Sequence, residues 1–183
     1  MRTFRESLNQ IRVRRIVRKA LALAPRGCVR NDVLMLHELR EFSGQELQLH
    51  WWARNVHPWD HNLSVARQSE LFSQQALHDT ESALIRLFRR LPDLHEIAFR
   101  VLYPGVPNPV IPGENEQRDE VPLERYEIEP KVILTGNVER NDVIPEPFSP
   151  SIKMRLLMMG VRFLMVGGHL EPLAAGNLCP LEG

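Results

Sequence analysis

The stretch SVARQSELFSQQALHDTESALIRLFRRL, residues 64–91, constrains this chain more than any other. Val65, Phe72, Ala76, Ala83, Leu84, Leu87, Phe88 and Leu91 recur at spacings of three, four and seven, which predicts one apolar stripe along a helix. Ser64 suits the N-cap, and Pro92 stops the helix. The opposite side carries Arg67, Glu70, Gln74, His78, Glu81 and Arg89 and is expected to face water. A helix of that length runs about 40 Å at its usual rise. Its stripe needs a second layer, which the rest of the chain has to supply.

Strands are the expected supply. VLMLHELREF, SGQE and LQLHWWAR read as a β-hairpin with strands near 32–42 and 46–54 and a short Gly-containing turn. The second run alternates, so Leu47, Leu49, Trp51 and Ala53 point one way and Gln48, His50, Trp52 and Arg54 the other. Trp51, in line with leucines, belongs in the core. Strands are also predicted near 95–103, with Ile97, Phe99 and Val101 on one side, and near 131–139. Ser149 and Pro150 start a short helix, Gly160 ends it, and VRFLMV follows as a buried strand at 161–166. The step from 131–139 to 161–166 fits a right-handed parallel crossover.

The chain opens with a helix expected from Thr3 to Ala24, with Thr3 and Glu6 as a capping box and Pro25 and Gly27 as the stop. Val13, Ile16, Val17, Ala20, Leu21 and Ala24 share its apolar stripe, while Phe4, Leu8 and Ile11 lie on a rotated one. The order α-β-β-α-β-β-α-β predicts a single α+β domain, with a mixed sheet of about five strands and helices mainly on one face. Its parts are a basic N-terminal helix (1–27), the α+β domain (28–174) with a long acidic, proline-rich loop at 104–130, and a flexible tail (175–183). The first helix is expected either to complete the core or to cross to another subunit.

Composition narrows the function classes. The 183 residues are 43% apolar and 25% charged, as in ordinary globular chains, and the formal net charge is zero. No global field steers the molecule. The zero conceals an asymmetry: residues 1–30 hold nine basic side chains against Glu6 alone, and residues 104–130 hold seven acids against two arginines. Cys28 and Cys179 form no framework, the first residues lack the apolar run of a signal peptide, and no run is long enough to span a bilayer. The expectation is a soluble, cytoplasmic protein.

HWWARNVHPWDH, residues 50–61, gathers all three tryptophans and three of seven histidines. No GxSxG, P-loop or GxGxxG is present. The leading expectation is therefore a non-enzymatic binding or protein-interaction module using His50, Trp52, Arg54, His57, Trp59 and His61, its partner another protein or a second copy in a homodimer. The bland alternative puts the arginine stems of the first helix over Trp52. A second alternative is a metal-dependent hydrolase in which His50, His57, Asp60 and His61 hold a divalent ion. His57 precedes Pro58, so its backbone is extended and the pair lacks the geometry of HExxH. A third is nucleic-acid binding through Arg12, Arg14, Arg15, Arg18 and Lys19, without any recognised helix-turn-helix, zinc-finger or RNA-recognition motif.

Overall fold

The hairpin forms where alternation placed it. β1 (Met35–Phe42) pairs antiparallel with β2 (Glu46–Trp52). Gly44 takes φ +98° at the first loop position, where a two-residue type II′ turn needs glycine. The structure is a computed structural model and describes residues 4–22, 34–56, 60, 62–103, 130–143 and 151–174. Within these the remaining elements are α1 (Phe4–Leu21), α2 (Val65–Arg90), β3 (Glu96–Tyr103), β4 (Lys131–Glu139), a 3₁₀ turn (Arg140–Asp142), α3 (Ile152–Met158), β5 (Val161–Val166) and β6 (His169–Glu171). The expected capping box at Thr3, the Ser149–Pro150 helix start, the loop 104–129 and the tail lie outside the described residues.

The architecture is α+β, as expected, with six strands in the order β1-β2-β3-β4-β5-β6. β2 and β3 are parallel; the other neighbouring pairs are antiparallel. The sixth strand was not foreseen. Its signal was Gly167-Gly168, which take φ +57° and +91° in the tight turn from β5 to β6, a conformation side chains resist.

The parallel crossover lies elsewhere than the sequence suggested. It runs β2–α2–β3, whereas β4 and β5 are antiparallel, with Leu134 opposite Phe163 and Gly136 opposite Val161. The chain therefore re-enters the sheet near where it left. β5 is not a buried strand: Val161, Phe163 and Met165 turn toward the core, and Arg162, Leu164 and Val166 are exposed.

α1, α2 and α3 all contribute to one core with one face of the sheet. Leu47, Leu49 and Trp51 lie beside Ile97, Phe99 and Val101 in register, and the Trp51 and Phe99 rings stack with centroids 4.9 Å apart. Gly136 lies opposite Phe99. α1 completes the core through Val13, Val17, Ala20 and Leu21, and Arg86 of α2 donates to the Ala20 carbonyl at 2.8 Å. That placement puts α1 against the helical layer, away from the sheet face that bears Trp52.

Two expectations for α2 are corrected. Val65 is 79% exposed, because the first buried residue of α2 is Phe72: the helix, about 39 Å long, overruns strands of about 26 Å. Glu81 does not face water. It is 5% exposed and accepts both arms of Arg155 from α3, Nε to Oε1 at 2.5 Å and Nη2 to Oε2 at 2.8 Å. α2 is capped at both ends. Ser64 Oγ accepts from the Arg67 amide, and Arg140 donates to the carbonyls of Phe88, Leu91 and Leu94, taking acceptors that a helix C-terminus leaves open.

Two consequences are measurable by denaturant unfolding. A methyl on Gly136 would lie 3.1 Å from Val161 Cα and 3.2 Å from the Phe99 ring, so Gly136→Ala should lower stability by about 1–3 kcal/mol. Glu81→Ala strands a buried guanidinium and should lose about 3–5 kcal/mol, whereas Glu81→Met with Arg155→Leu should recover most of it.

Candidate functional site

Two surfaces carry the residues singled out by sequence: the outer face of the sheet and the outer face of α1. On the sheet, register builds rows across strands. One row is Glu38, His50, Arg100, Thr135, Arg162; the next is Met35, Trp52, Leu102, Val132. Among the described residues no helix lies over these rows, since the helices share the core on the other side.

β1 reaches this arrangement through two bulges. The register shifts between Leu36 and Glu38 and between Leu39 and Glu41. Leu36, Leu39 and Phe42, three apart, can then all pack on the core although a regular strand would alternate them. The bulge at His37 brings that ring edge-on to Trp52, with centroids 5.0 Å apart and planes at 74°. Met35, the cross-strand neighbour of Trp52, is 60% exposed. Met35 and His37 were not singled out in the sequence. The threefold spacing of Leu36, Leu39 and Phe42 was the available signal that the edge strand is irregular.

The structure disperses much of the expected platform. Trp52 stays on the outer face and is half-buried, and Trp51 is buried in the core as expected. His50 shares the outer face but is only 5% exposed. Arg54 leaves it: beyond the strand end its Nε meets Asp79 of α2 at 2.5 Å, and Gln75 of α2 donates to the Arg54 and Asn55 carbonyls. Burial pushes the Asp79 carboxyl up, against the pull of Arg54. His57, Trp59 and His61 lie outside the described residues. Asp60 sits in a short turn whose carbonyl accepts from Leu63 at 3.1 Å.

His50 is in a poor setting for a cation. Burial, then the charges of Arg40 and Arg100, push its pKa down to about 4, opposed by Glu38, whose carboxylate lies 3.5 Å from Nδ1. The side chain is therefore neutral at pH 7. Glu38 is itself held below its ordinary value, chiefly by its hydrogen bond from Arg40. Among the described residues no three His, Cys, Asp or Glu side chains are grouped so as to hold a metal.

α1 keeps its predicted cations together. Arg12, Arg14, Arg15, Arg18 and Lys19 are all exposed; Arg15, Arg18 and Lys19 lie opposite Val13, Val17, Ala20 and Leu21, with Arg12 and Arg14 at the flanks. Helical spacing sets Ile11, Arg15, Arg18 and Ala22 on one stripe, flanked by Arg14 and Lys19. These six residues line a shallow hollow of about 380 Å³, and Ile11 is 66% exposed beside it. No acidic side chain occurs from Ile11 to Ala22.

Compared with known proteins, the chain matches no family model, no curated protein and no solved structure. Among the described residues no helix is long and apolar enough to cross a membrane.

The neutrality of His50 has a signed consequence. Its folded pKa, about 4, lies below the ordinary 6.5, so between these values the unfolded chain binds the extra proton. Its contribution is complete above pH 6.5 and is lost as pH falls toward 4. The loss should be on the order of 3 kcal/mol. Unfolding free energies at pH 7 and pH 4.5, with His50→Leu as reference, check it: the variant should lose distinctly less on acidification.

Proposed function

We propose that the protein is a non-enzymatic binding module that grips the phosphate backbone of nucleic acid through the outer face of α1. One observation carries this reading. Five cations project from one side of a helix whose other side is locked into the core, with no carboxylate interleaved. A cation row fixed on a packed helix meets a polyanion without first having to order itself. Four of the five are arginines, whose guanidinium fork matches phosphate oxygens. A neutral net charge is no obstacle, because at physiological salt fields are screened within about 8 Å and the local patch governs.

Two rival occupants are less well served. A helix lying in a membrane surface buries its apolar side in lipid, and here that side is spent on the core. The outer sheet face remains a second reading, as a protein-docking surface centred on Trp52 with Met35 and His37. It is favoured by the exposure of Met35 beside a half-buried indole. Trp52→Ala should weaken such a complex and leave nucleic-acid affinity unchanged.

Salt dependence tests the backbone reading. With at most five phosphates engaged, log K against log salt should fall with a slope no steeper than about −4.5 on duplex DNA. Arg15→Gln with Arg18→Gln should flatten that slope by about 2. Both side chains are exposed, so the fold should be unaffected. Binding that ignores salt, or an unchanged slope in the variant, would refute the assignment.

A further inference from the structure

We infer that the α1 site takes a single strand, with an unstacked base seated against Ile11, in preference to a duplex. The inference rests on the nucleic-acid reading above and adds the class of nucleic acid. Its starting point is an oddity of the basic face: a large apolar side chain, Ile11, stands among the arginines and is 66% exposed. The helix had an apolar side to offer, and Ile11 is not on it.

Ile11 stands one turn before Arg15 and Arg14, and Arg18 continues the same stripe. Ala22 ends the stripe three turns on, about 16 Å along the axis. The hollow between them, about 380 Å³, lies within the ~300–1,000 Å³ range of small-ligand sites. Its described lining combines two apolar residues, Ile11 and Ala22, with three arginines and Lys19. That pattern suits a nucleotide unit better than a bare phosphate row. The isoleucine methyls and arginine stems can cover a base face, guanidinium planes can stack on it, and the charged ends can reach the flanking phosphates.

A duplex cannot use this feature. Its base faces are hidden in the stack, and only sugar and phosphate would bridge the hollow, leaving Ile11 against charged oxygens. In a single strand the bases can be splayed out and every base has a face to offer, so the preference should be for strandedness with little sequence dependence.

The test compares three labelled probes on the full-length protein at low salt: a short oligothymidylate, a blunt duplex of equal length, and an abasic oligonucleotide of equal length. The oligothymidylate should bind several-fold tighter than either of the others. Ile11→Asn, an exposed and uncharged change, should erase that advantage while leaving the salt slope of the remaining binding unaltered. Equal binding of all three probes would overturn the base-seating inference and leave the backbone reading standing. Failure to bind any probe, or capture only by phosphatidylserine vesicles, would overturn both. If Ile11→Asn lowers affinity for all three equally, the residue acts through helix packing and the inference falls.

Discussion

Trp51 stacked on Phe99 is the contact around which the rest of the molecule is arranged. It joins β2 and β3, the one parallel pair among the described residues, and both rings are fully enclosed. A parallel pair requires a long return, and α2 provides it. The helix that closes the crossover also lays Leu77, Leu84 and Leu87 into the same apolar cluster as the two rings. Gly136 on β4 leaves the space the Phe99 ring occupies, so the third strand is adapted to the stack as well. Burial of apolar surface, to which these large rings contribute, is the dominant favourable term in folding, and the polar devices at the edges align elements around the core.

Those devices are mostly arginines. Arg140 closes the C-terminus of α2, Arg86 binds the end of α1, Arg54 holds the segment after β2 to Asp79, and Arg155 enters the interior to meet Glu81. Each fixes one element against α2. Their work leaves a distinction among the cations of the chain: these four are spent on architecture, while the exposed set on α1 lies on a packed helix and faces outward. The proposed recognition surface is thus rigid in backbone and adaptable in side chain, a combination suited to a flexible polyanion.

Much of this was legible in the primary structure. The strands expected at 46–54 and 95–103 and found at Glu46–Trp52 and Glu96–Tyr103, the long helix with its Ser64 cap, and the inward turn of Trp51 followed from periods of two and 3.6. The cation cluster on α1 was equally visible, because helical spacing alone keeps those side chains off the stripe of Val13 and Val17. What failed depended on contacts between distant segments. Glu81 reads as a surface acid until Arg155, 74 positions later, is brought beside it. Arg54 reads as a neighbour of Trp52 until the chain leaves the strand and α2 offers Asp79.

By itself, then, the sequence determined the three helices, the first five strands and the main apolar stripe of α1, α2 and β2, since these follow from local periodicity and the hydrophobic effect. Only tertiary structure decided which strands run parallel, where β1 bulges, that the described helices all share the core on one sheet face, and which charges are buried as pairs. The reason is physical. Local pattern sets what a segment can bury, but the partner that buries it, and the register at which they meet, is chosen by packing many segments at once.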